Sequence, residues 1–194
     1  MKGAFGDCEW LNEPSHWSVS NDVVRVRTDD QTDFWRETHY GFVHDNGHFL
    51  AAAVTGSFTA QLRFRANYTH LYDQAGLMVR VDEKTWVKAG IEFTGGRPSL
   101  CTVVTLGKSD WSIAALDGDT SDVRVRVTVA VGALRVQAST DGKTWPLFRL
   151  APFPVAEVYR VGPMCCSPQR AGFEVEFLEF ETAPATAKHL HDAS

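Results

Sequence analysis

The sequence predicts an all-β protein, an antiparallel two-sheet β-sandwich of the jelly-roll kind. Three observations lead there. Apolar and polar residues alternate with period two from about residue 17 to 182, helical periodicity is nearly absent, and turn signals such as Gly95-Gly96, Asp117-Gly118 and Asp141-Gly142 punctuate the alternation. About a dozen short strands cannot share one open sheet without exposing an apolar face, so two sheets must pack together.

The first long stretch, WSVSNDVVRVRT (17–28), alternates throughout and reads as one strand. DFWRETHYGFVHDNGHFL (33–50) reads as a strand, an Asp45-Asn46-Gly47 hairpin turn and a second strand. HFLAAAV (48–54) and SFTAQLRFRAN (57–67) follow. In QAGLMVRV (74–81), Ala75, Leu77, Val79 and Val81 point inward, which leaves Gln74, Met78 and Arg80 on the other face. In TWVKAGIEF (85–93) the inward set is Val87, Ala89, Ile91 and Phe93, with Trp86, Lys88 and Glu92 opposite. LCTVVTL (100–106) and DWSIAAL (110–116) come next, the latter setting Asp110 and Ser112 against Trp111 and Ile113. DVRVRVTVAV (122–131) buries a valine ladder, and ALRVQAST (133–140), EVYRVGPMC (157–165) and GFEVEFLEFE (172–181) complete the set. The last stretch, APATAKHLHDAS (183–194), is small, polar and aperiodic, and reads as a flexible tail after a single domain spanning 1–182.

Composition excludes several partners. The 194 residues are 44% hydrophobic with a net charge of −5, and the Lys and Arg residues are scattered, so no basic field invites nucleic acid. No apolar run has the length of a signal-peptide core or a membrane span, so a cytoplasmic protein without a membrane partner is expected. Cys8, Cys101, Cys165 and Cys166 form no C-x-x-C pair and read as buried fillers. No metal set or cofactor motif is predicted: His39, His44 and His48 match no ligand spacing, and the Asp45-Asn46-Gly47 turn would put His44 and His48 on opposite hairpin arms.

The candidate chemistry lies on the strand faces turned from the core. Strand parity gathers Trp35, His39, Tyr72, Gln74, Lys88, Glu92, Asp110 and Trp111, flat rings beside planar polar groups, as a carbohydrate-binding surface would. The structural alternative is that the tryptophans cover neighbouring strands and the charges are solvated. Hydrolysis of a glycoside would need two carboxyls among Glu92, Asp110, Asp73 and Glu37, and a lyase would use Arg80, Lys88, His39 and Tyr72. No G-x-S-x-G elbow or recognisable nucleophilic cysteine is present.

The blocks TDFWRETHYGFVHDNGHFL, LYDQAGLMVRVDEKTWVKAGIEF, SDWS, STDGKTW and VGPMCCSPQRAGFEVEF, in that order, resemble the DUF1349 family, with its YesU-like and regulation-of-enolase-like members. The resemblance implies a concanavalin A-like lectin/glucanase sandwich, with a ligand across its concave sheet. The expected partner is a small carbohydrate or glycoconjugate. A glycoside hydrolase or polysaccharide lyase on the same face is the second expectation, and an interaction module acting on a metabolic enzyme the third. The family supplies no catalytic set to carry over, and a homodimer stays open.

Overall fold

The computed structural model describes residues 5–193. Its strands are β1 (Glu9–Leu11), β2 (His16–Ser20), β3 (Val23–Arg27), β4 (Phe34–Arg36), β5 (Val43–Asp45), β6 (His48–Thr55), β7 (Phe58–Ala66) and β8 (Gln74–Asp82). The second half carries β9 (Thr85–Thr94), β10 (Arg97–Leu106), β11 (Lys108–Ala114), β12 (Asp122–Ala130), β13 (Ala133–Ser139), β14 (Leu147–Pro152), β15 (Val158–Cys166) and β16 (Glu174–Pro184). One seven-stranded antiparallel sheet has the order β1-β6-β15-β8-β9-β10-β11, the other β14-β13-β12-β7-β16-β3-β2, and β4 pairs only with β5. The two large sheets form the all-β, jelly-roll sandwich that the alternation predicts.

The inward faces interlock as strand parity requires. Ala75, Leu77 and Val79 from β8 and Val87, Ala89 and Ile91 from β9 meet the β12 ladder Val123, Val125, Val127 and Val129 in the main core. The other face of β8 and β9, expected to meet solvent, is instead covered. The β4–β5 hairpin lies across it, and Phe34 and Trp35 join Phe49, Met78, Trp86, Cys101, Val103, Met164 and Cys166 in a second apolar cluster. Fully burying a ring such as Phe34 contributes about 2–3 kcal/mol, which holds this small cap to its sheet.

Several local expectations change. The stretch 17–28 is two paired strands, because Asn21 and Asp22 take left-handed φ of 51° and 58° and turn the chain between β2 and β3. Asp45-Asn46-Gly47 is a corner and not a hairpin turn: β5 pairs with β4, whereas β6 pairs with β1 and β15. Its glycine is needed for space, since a Cβ at Gly47 would meet Cys166 Sγ and the Phe34 ring at 2.5 Å. The expected flexible tail is docked in its described part. β16 runs on to Pro184, Arg135 donates to the carbonyls of Lys188 and His189, and Trp145 N donates to Ala193 O at 2.7 Å. Polar backbone fastened to a sheet face carries no hydrophobic period, so composition hid this docking.

Candidate functional site

The cap and the sheet beneath it enclose a cavity of about 280 Å3. Its floor comes from Gln74 on β8 and Lys88 and Glu92 on β9, and Trp111 on β11 adds a wall. The cap and its flanks bring Gln31, Asp33, Trp35, Tyr40, Phe42 and His44, and Tyr72, Pro168 and Gln169 complete the lining. Gly76 and Gly90 face each other across β8 and β9 on this side, and a Cβ on either would meet a backbone oxygen of the other strand at 2.1 or 2.0 Å.

Two ion pairs root the cap. Arg80 holds Asp45 in a two-pronged contact at 2.6 and 2.8 Å, and Lys88 Nζ reaches Asp33 Oδ1 at 3.0 Å. Between β4 and β5 the tip leaves strand geometry, with φ of 61° at Glu37 and 65° at His39. Tyr40 and Phe42 stack there at 5.2 Å and remain 46% and 41% exposed. Tyr72, also left-handed at φ 64°, brings its hydroxyl to 3.1 Å from that of Tyr40. The contact with Tyr40, with burial behind it, pushes the Tyr72 phenol up to about 12.

The electrostatics centre on Glu92. Burial is the main cause that lifts its carboxyl to about 7, with Asp33 adding to the rise, while Lys88 and the Cys101 thiol oppose it. Its Oε2 accepts from Cys101 Sγ at 3.6 Å, and its buried Oε1 has no hydrogen-bond partner among the described residues. Lys88 is wholly buried, which alone would lower it, yet the negative field led by Asp33 carries it up to about 12. The hydrogen bonds to the Asp33 carboxylate, from Phe34 N, Lys88 Nζ and Gln74 Nε2, all fall on Oδ1. The cavity thus joins a paired carboxylate to a buried carboxyl poised at neutral pH.

Of the eight residues gathered by strand parity, Trp35, Tyr72, Gln74, Lys88, Glu92 and Trp111 line the cavity. His39 does not. The alternation ends at Arg36, and the left-handed tip turns the His39 ring onto the edge of Tyr40 at 4.8 Å. Asp110 lies outside too, paired with Arg149 of the second sheet at 2.6 Å. Asp73 is consumed by Arg170 at 2.6 Å and Glu37 by Lys108 at 3.0 Å, so the second carboxyl of the cavity is Asp33. Asp33 escaped strand logic because it precedes β4 and no period points to it. Tyr40, Phe42 and His44 lie within the stretch 33–50 that reads as a hairpin, and strand parity gathered none of them into the site. The three histidines part company: His44 lines the cavity, His39 sits at the tip, and His48 bridges Asn12 O and Asp29 N at 2.7 and 3.0 Å. Among the described residues no three His, Cys, Asp or Glu side chains gather as a metal set.

A larger groove of about 1030 Å3 runs over β2 and β3, lined by Trp17, Arg25, Arg27 and Glu176. It is open, and Arg25 already pairs with Glu176 at 2.9 Å, so it holds no buried charge in want of a partner.

Comparison with known proteins defines the relationships. The chain is 51% identical over 185 residues to Regulation of enolase protein 1 of Saccharomyces cerevisiae, covering 95% of this chain and 93% of that protein. A crystal structure of a functionally unknown protein from the same yeast superposes with a TM-score of 0.93 at 49% identity, over 95% of this chain and 100% of that one. The xylan β-1,4-xylosidase of Bacillus halodurans shares the fold alone: its TM-score is 0.70 at 12% identity, and 93% of this chain matches 38% of the enzyme. Residues 10–185 match the profile of a family described as a protein of unknown function, and the chain belongs to that family, DUF1349.

Proposed function

We propose that the enclosed cavity binds one unit of a carbohydrate or glycoconjugate. The observation that carries this reading is the lining itself. The rings of Trp111, Tyr40 and Phe42 line a space of about 280 Å3 together with Gln74, Lys88, Asp33 and Glu92. That volume lies at the small end of ligand pockets and suits a single ring, with the aromatic walls taking its C–H faces and the polar groups its hydroxyls. A calorimetric panel of monosaccharides and methyl glycosides tests it. At least one should bind with millimolar affinity or better, and Trp111→Ala should weaken it by about tenfold or more, as loss of a stacking ring does. Failure of every sugar to bind, or unchanged affinity in Trp111→Ala, removes the reading.

Hydrolysis of a glycosidic bond in the same cavity is a second reading, favoured by the presence of two differently held carboxyls, Asp33 and Glu92. Nuclear magnetic resonance of a bound glycoside over hours distinguishes the two: release of the free sugar supports the enzyme, and an unchanged spectrum supports the binding protein.

A further inference from the structure

The buried carboxyl of Glu92 is tied on one side only, and the tie has a direction. An indole N–H can only donate, and that of Trp111 donates to Cys101 Sγ at 3.3 Å. The sulfur is the acceptor there, so its own hydrogen runs on to Glu92 Oε2 at 3.6 Å. Burial holds the Cys101 thiol protonated, well above its ordinary range, so this donor persists at neutral pH. Oε2 is therefore occupied as an acceptor. When Glu92 is protonated its hydrogen belongs on Oε1, the buried oxygen without a hydrogen-bond partner among the described residues.

We propose that Glu92 is the proton donor of this cavity, and that Cys101 and Trp111 are positioning residues that keep its acidic hydrogen on Oε1 and off Oε2. Asp33 complements it. With its hydrogen bonds all on Oδ1, Asp33 Oδ2 is left to accept. Toward a glycosidic bond the step balances: the Glu92 proton passes to the departing oxygen as its bond to the sugar carbon breaks. Water then supplies hydroxyl to that carbon and its remaining proton to Asp33, and exchange with solvent restores both groups. Choosing a glycosidic bond as the recipient rests on the carbohydrate reading above; the proton placement does not.

The groups that face Glu92 set its titration. Lys88 along β9 and the Cys101 hydrogen bond from β10 favour the ionised form, whereas Asp33 beside the cap opposes it. Cys166 on β15 and Tyr72 feel the same charge, and His44 shares the cavity.

Infrared titration of the whole protein tests the placement. Wild type should show a protonated carboxyl band at pH 6 that Glu92→Gln abolishes. Its midpoint should rise by about half a pH unit or more in Cys101→Ala, which loses the donor, and stay at or below the wild-type value in Cys101→Ser, which keeps one. Trp111→Phe should raise it as Cys101→Ala does. A pH 6 spectrum unchanged by Glu92→Gln, or shifts of the same sign in both Cys101 variants, overturns the proposal. The chemistry is read with 4-nitrophenyl glycosides that the protein binds. Glu92→Gln should lose at least about 100-fold in hydrolysis, and equal rates, or hydrolysis of none of them, refute the donor role. Should no sugar bind while the infrared pattern holds, the carbohydrate reading fails and the oriented acid stands.

Discussion

Replacing Glu92 by Gln should stabilise the protein at pH 8 and do so much less at pH 5. The native state holds this proton up to about pH 7, whereas the unfolded chain releases it near the ordinary value of 4.5. The folded state therefore binds more protons throughout that window, and stability falls as pH rises through it. The interval from 4.5 to about 7, at about 1.36 kcal/mol per pH unit, amounts to about 3 kcal/mol. Glu92 is only 4% exposed, so solvent screening removes little of this. An uncharged glutamine carries none of the penalty, and its amide N–H can stand where the Oε1 hydrogen would be. Urea unfolding of both proteins at pH 5, 6, 7 and 8 separates the effect from every other titration, because only the difference between them is read. The difference should widen from below about 1 kcal/mol at pH 5 to about 3 kcal/mol at pH 8, the latter about 6–12 °C in melting temperature for a chain of this size. Parallel profiles from pH 5 to 8 would show that Glu92 is ionised across the range and refute the reasoning.

Asp45→Ala should cost about 2–4 kcal/mol in urea unfolding, since it leaves the 8%-exposed Arg80 side chain without its partner; a loss below about 0.5 kcal/mol would mean that the cap does not depend on that root. Gly47→Ala should cost about 1–3 kcal/mol by pushing Cys166 and Phe34 apart, whereas Gly41→Ala, whose Cβ meets nothing within 4 Å, should cost only the strain of its φ of 75°. Phe34→Ala should lose about 3–5 kcal/mol and raise amide exchange first in β4 and β5, and uniform exchange across both sheets would contradict a separate cap cluster.

The fold was legible because its signal is local and periodic. β8 and β9 announce their two faces in the residues themselves, and Leu77, Val79, Val87 and Ala89 went where alternation sent them. The cap was not legible, for a physical reason. Phe34 and Trp35 are both buried although they are neighbours, because Phe34 packs onto Trp86 of β9 while Trp35 lines the cavity, so both faces of β4 are covered. Alternation cannot describe such a segment. For the same reason Trp86 and Lys88 looked like part of an open face, ligand-binding or solvated, whereas Lys88 is among the most buried side chains and its charge is met by Asp33, 55 positions earlier. That pairing leaves no trace in local spacing. Gly76 and Gly90 were simply skipped by a reading that counts side chains, although a Cβ on either would collide with the backbone of the paired strand.

The way the cap is fastened also decides which of its ends can move. Both roots of the hairpin end in a charge pair with a buried cation, at Asp33 and Asp45, whereas the tip is held by the exposed Glu37–Lys108 pair and the Arg36 contacts to Ser109 and Gly107. Lifting the whole hairpin would strand two buried cations at once. Bending the tip disturbs the Glu37–Lys108 pair, the contacts to Ser109 and Gly107 and the Tyr40–Tyr72 hydroxyl pair, and leaves both buried cations paired. The end of the cap that moves at least cost is thus the one that carries Tyr40, whose hydroxyl meets that of Tyr72 beside the cavity.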